Sequence, residues 1–132
     1  MMSSYEYLLQ LADERCITVH ENINLGRLDG LYVDGAIALS YNLDTSAKKR
    51  CVLAEELGHY ETTYGDILDQ SIIENQKQEY RARTWAYNFL VPLETIITAL
   101  SDGHTETWDL AEYLEVEEWF LVGCLRHYGL MD

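Results

Sequence analysis

Apolar positions in residues 3–15 fall at helical spacing. Tyr5, Leu8, Leu9, Leu11 and Ala12 make one face, while Glu6, Gln10, Asp13 and Glu14 lie largely off it. The period then shortens. Cys16-Ile17-Thr18-Val19-His20 alternates and is rich in β-formers, which predicts a strand. The run from Leu28 to Leu39 carries Asp34-Gly35 between two β-type segments. Glycine tolerates the positive φ of a tight turn, so a hairpin is expected there, and three strands in all.

From Ser46 to Thr62 the pattern reads as a helix again, with Asp44 or Thr45 as its cap. Leu53, Leu57 and Tyr60 recur at i, i+4 and i+7 and are expected to face the core. Gly58 costs about 1 kcal/mol in a helix interior relative to Ala, so another element is expected to pack closely there. Thr63 to Gln70, with Gly65 and Asp66, reads as a loop. A second long helix starts near Ser71 or Asn75, where Asn75 with Gln78 resembles a capping arrangement, and runs to Leu90. Glu79, Ala82, Ala86, Phe89 and Leu90 mark its packed stripe. Pro92, the only proline, ends it and suits the first turn of a helix from Leu93 to Leu100, closed by Asp102-Gly103. Thr107 caps a short helix, Trp108 to Leu114. A turn at Glu115-Val116 leads to a last helix, Glu117 to His127, with Gly129 as its stop. Leu110, Leu114, Trp119, Leu121 and Leu125 read as packing residues. This last pair resembles a helix-turn-helix, but Asp109, Glu112, Glu115, Glu117 and Glu118 repel phosphate, so DNA binding is not expected.

Composition narrows the picture. A chain of 132 residues suits one domain spanning 1–132. Its 23 acidic residues against 9 basic ones give a formal net charge of −14, which disfavours nucleic acid and anionic membrane and leaves room for a basic protein partner. Cys16, Cys51 and Cys124 are scattered and odd in number, so a reducing, cytoplasmic setting is expected, with each cysteine a small buried apolar residue. No signal peptide and no membrane span is read in the chain. The pattern does not specify an oligomeric state.

The candidate chemistry lies in Ala54-Glu55-Glu56-Leu57-Gly58-His59-Tyr60. Glu55 and His59 are four apart and share a helix face, and Glu56 lies about 100° round from Glu55. This is the spacing of the zinc-peptidase pattern HExxH with its first histidine replaced, so it reads EExxH. A catalytic metal usually takes three protein ligands, and Glu79 on the next long helix is the best-placed third. Spacing alone leaves two readings open: a metal site, or two acidic residues on a solvated helix. His20, alone on a strand, is read as structural.

These features together resemble the ImmA/IrrE family of metallopeptidases. Its pattern is a hairpin, a helix with HExxH, then a helix reading roughly ExxAxxFAxxLLMP. Here Glu79, Ala82, Trp85-Ala86, Phe89-Leu90 and Pro92 fall in that frame, with Trp85 in place of Phe. The resemblance covers residues 5–100 and implies an α+β, zincin-like fold. That fold has an N-terminal helix, a small three-stranded sheet with a hairpin, an active-site helix and a helical C-terminal half. It implies that His59 and Glu79 bind the metal, that Glu55 stands at the first ligand position, and that Glu56 is the catalytic base. Glu55 departs from the family pattern. Two carboxylates and one imidazole neutralise a divalent ion, so zinc is expected to bind more weakly than in an HExxH site, manganese or iron become acceptable, and the purified site is expected to be empty. The implied activity is endopeptidase cleavage of a basic helix-turn-helix repressor, as in phages and mobile elements. A rival reading is a binding module that holds a repressor or regulator without cutting it; a toxin–antitoxin component is a third.

Overall fold

The computed structural model describes the backbone of residues 3–62 and 72–132 and, outside 72–75, their side chains. The expected loop 63–70 lies outside the described residues, as does Ser71. The fold is α+β. Helix α1 (Ser4–Glu14) precedes strands β1 (Thr18–Ile23), β2 (Gly30–Val33) and β3 (Ala36–Ser40). Five helices follow: α2 (Ser46–Thr62), α3 (Ile72–Leu90), α4 (Leu93–Ser101), α5 (Thr107–Leu114) and α6 (Glu118–His127).

Helix α1 starts where Ser3 Oγ accepts the Glu6 N–H at 3.2 Å. It stops because Cys16 turns left-handed (φ 59°). The N–H groups of Cys16 and Ile17 then reach back to the carbonyls of Asp13 and Ala12, at 3.0 and 2.8 Å. Cys16 therefore ends a helix instead of opening a strand, and β1 begins two residues later than its alternation suggests. The same turn leaves Cys16 exposed, against expectation, while Cys51 and Cys124 are buried.

The sheet order is β1-β3-β2. Strands β2 and β3 form the expected hairpin, with Val33 opposite Ala36 and both turn residues at positive φ (Asp34 47°, Gly35 80°). Strand β1 runs parallel to β3, and its register shifts between His20 and Ile23, where Asn22 has φ 59°. Ile37 and Leu39 of the central strand are buried under α2. His20 pairs with Ala38 on the other face, beside Ile23, Leu31 and Val33.

Helix α2 is capped by Thr45, whose Oγ1 accepts the Lys48 N–H at 3.1 Å. Asp44 instead pairs with the Lys48 ammonium at 2.9 Å. Leu53 and Leu57 are fully buried, as expected. Tyr60 is not: near the helix end its ring sits edge-on to Tyr32 of β2, centroids 5.9 Å apart, and stays exposed. Helix α3 begins at Ile72, so Asn75 lies inside the helix and not at its start. Ala82 and Ala86 are buried against neighbours, but Phe89 is exposed, stacked on Trp85 at 5.1 Å.

One cluster of buried side chains runs from Leu8 of α1 through Ile37, Leu53 and Ile96 to Phe120 and Leu121 of α6. Helix α5 starts from Glu106, so Thr107 is its first residue; the Thr107 hydroxyl donates to Glu118 at 2.7 Å. Glu115, left-handed at φ 60°, makes the turn into α6. The buried Arg50 of α2 donates to the Glu115 carbonyl and stands 3.6 Å from its carboxylate, which ties α2 to that turn. Leu110, Leu121 and Leu125 are buried, Leu114 packs partly, and Trp119 is exposed. Among the described residues no helix is long and apolar enough to cross a membrane.

The contact between α2 and α3 is set at Gly58. A Cβ there would lie 2.3 Å from the Ala82 carbonyl oxygen and 3.0 Å from its carbon, so only glycine allows the approach. Gly58→Ala gains about 1 kcal/mol of helix propensity but must push a backbone aside, an overpacking cost of about 1–3 kcal/mol or more. The variant is expected to lose stability in urea denaturation. A gain near the propensity value would show that the helices part at no cost.

Candidate metal centre

Helices α2 and α3 run antiparallel through this contact. Glu55 faces Arg83, His59 faces Glu79, and Gly58 meets Ala82 between them. His59 Nε2 lies 3.1 Å from Glu79 Oε1. Arg83 Nε lies 3.4 Å from Glu55 Oε1, an ion pair outside hydrogen-bond geometry. That Glu55 oxygen is buried and, among the described residues, has no hydrogen-bond partner.

Glu56, one residue on, turns toward the start of β2. A Cβ on Gly30 would stand 3.2 Å from Glu56 Oε1, 3.1 Å from its Cγ and 2.6 Å from Val52 Cγ1. The bare glycine thus lets the strand close over the carboxylate. Burial pushes the Glu56 pKa up to about 7, with the charges of Glu55 and Glu79 adding to the rise. Glu55 is also pushed up, first by burial and then by Glu79, against the pull of Arg83 and His59.

The four residues read from the sequence thus lie on two adjoining helices. They do not stand as one ready ligand set: among the described residues, no three His, Cys, Asp or Glu side chains are grouped to hold a metal. Instead they stand in two pairs: Arg83, one turn beyond Glu79, draws on Glu55 while Glu79 draws on His59. Sequence reasoning missed Arg83, although its i+4 spacing from Glu79 places both on one helix face. It also missed Gly30, whose role depends on how β2 crosses α2.

The donor set nonetheless fits a divalent cation. Two ligands of one tetrahedral ion, bound at roughly 2.0–2.2 Å, stand about 3.3–3.6 Å apart, so the His59–Glu79 pair need open only slightly to admit one. A buried carboxylate oxygen without a hydrogen bond is costly unless a cation reaches it. Three crowded carboxylates and an imidazole around one guanidinium leave negative charge that a divalent ion balances.

The raised Glu56 pKa has a consequence for stability. In the unfolded chain this carboxyl titrates near 4.5, and in the fold near 7. Between those values the fold holds the proton more tightly, so its contribution is full below 4.5 and is lost as pH rises through 7. In chelator-treated protein, Glu56→Gln is expected to raise the melting temperature at pH 8 and leave it nearly unchanged at pH 5. Equal effects at both pH values would contradict the burial of an ionisable Glu56.

The sequence was compared with known proteins. Residues 12–122 match the family model described as Peptidase_M78, IrrE N-terminal-like domain. Searches against curated proteins and solved structures returned no match. The matched span takes in the sheet, the hairpin, both site helices and the first half of α6. A half-buried glutamate pair and a histidine on α2, beside a glutamate on α3 at a glycine contact, agree with that match: the chain belongs to the IrrE N-terminal-like peptidase family, a family of metallopeptidase type.

Proposed function

We propose that this protein is a metal-dependent endopeptidase in which Glu55, His59 and Glu79 hold a divalent ion and Glu56 is the general base. The observation that carries this reading is the His59–Glu79 pair, 3.1 Å apart across two helices, beside a buried carboxyl with a proton affinity near neutrality. Zinc is the expected ion; the oxygen-rich set also accepts manganese or iron. When bound, the ion supplies Lewis acidity for hydrolysis of a peptide bond. The remaining work belongs to the chain. His59 and Glu79 fix their donor atoms through the α2–α3 contact. Glu56 takes a proton from the attacking water and returns it to the leaving amine, a task that suits a pKa near the working pH. Gly30 keeps the Glu56 carboxylate covered without a side chain in the way.

The substrate is a protein. The net charge of −14 favours a basic partner, and the helix-turn-helix repressor implied by the family resemblance has that character. A second reading rests on Arg83. Its guanidinium already supplies a cation to Glu55, as expected of a binding module that holds its partner without cutting it.

Glu56→Gln separates the two. The substitution removes the base, keeps the shape and leaves the three ligands in place. For a peptidase, cleavage of a basic repressor incubated with the zinc- or manganese-loaded protein falls about 10²–10⁴-fold, while binding persists. If the repressor stays full-length with wild type and variant alike, the binding module is the correct reading.

A further inference from the structure

We infer that Arg83 is a built-in competitor for the metal: its guanidinium holds Glu55 when no divalent ion is bound and must leave Glu55 for the ion to enter. The inference rests on the proposed ligand set and extends it to a residue outside that set.

Four observations support it. Arg83 sits one turn beyond Glu79 on α3, so the two side chains share a face opposite the α2 site. Its Nε is 3.4 Å from Glu55 Oε1, the first of the three proposed donors. That oxygen is buried and, among the described residues, has no geometrically sound hydrogen bond, so the Arg83 guanidinium reaches it as an ion pair. The Arg83 side chain is 45% exposed, so it can swing into water without carrying a charge through the interior.

A guanidinium and a divalent ion at one carboxylate repel each other. Glu55 therefore pairs with Arg83 or with the metal, and each bound ion displaces an arginine. Occupancy then follows the free metal concentration with a threshold higher than the three donors alone would set. The metal-free fold in turn keeps its buried carboxylate paired. Placing arginine one turn from a ligand makes the empty site tolerable and the loaded site conditional.

The test uses the full chain stripped with a chelator and titrated with zinc alone, in competition with a chromogenic chelator. Arg83→Gln is expected to bind zinc about two- to fivefold more tightly than wild type, from removal of one partly exposed charge pair. Arg83→Met, which keeps much of the apolar stem, gives the same result and covers the case in which the glutamine folds poorly. Arg81→Gln removes the same charge two residues away, off the shared face, and is expected to leave affinity near the wild-type value. Equal zinc affinity in wild type and both Arg83 variants overturns the inference and leaves the metal site standing. Tightening by Arg81→Gln to the same extent also overturns it, because net charge would then be the agent. If neither wild type nor the Arg83 variants bind zinc, the competition and the ligand set fall together.

Discussion

The structure depends on one close approach, the Ala82 carbonyl against Gly58. Any side chain at Gly58 would hold α2 and α3 apart. With them would part the two charge pairs that bracket the contact, His59 with Glu79 and Glu55 with Arg83. The pairs are sequential in both helices and run in opposite directions, so a single contact point sets the register of all four side chains. Gly30 does the same on the other side of α2, where it brings β2 down onto Glu56 and Val52. The glycines give up helix and strand stability for proximity. That trade is common where backbone must approach functional groups.

Proximity has an electrostatic cost. Burial raises the proton affinity of Glu55 and Glu56, the Glu79 charge adds to both, and the Glu55 charge adds to that of Glu56. His59 and Arg83 offset part of that. A fold does not gather three carboxylates for stability, since replacing such groups with apolar ones is often neutral or favourable. The arrangement is understandable as a place for positive charge. In its present geometry a guanidinium provides some of it, and a divalent ion is the species that would provide the rest.

Much of this was legible in the chain. The bounds of α2 follow from the residue pattern alone, because Thr45 offers a capping hydroxyl and the apolar spacing persists to Thr62. The hairpin was legible because Asp34-Gly35 has few other uses. Gly58 announced a close contact, and the contact is there. What failed has a common cause. The first helix ends where its spacing predicts, but β1 starts at Thr18 and not Cys16, because the left-handed Cys16 is neither glycine nor asparagine and no punctuation marks the turn. The parallel pairing of β1 with β3 depends on where the chain returns, which period-two alternation does not encode. Tyr60, Phe89 and Trp119 carry apolar rings at helical spacing yet lie exposed, each within two residues of a helix terminus. At the site, the ligand candidates were readable from spacing, but the partner of Glu55 was not. A sequence motif names donors and says little about which cation a neighbouring helix brings to them.

The central claim is that the α2–α3 contact presents a divalent-ion site. Diffraction from crystals of the full chain soaked in zinc, collected on either side of the zinc absorption edge, tests it most directly. The account predicts one strong anomalous peak within bonding distance of His59 Nε2 and a Glu79 carboxylate oxygen, about 2.0–2.2 Å from each, with the Glu55 carboxylate turned toward it. No peak there at saturating zinc, or a peak bound only by surface residues away from His59, would contradict it.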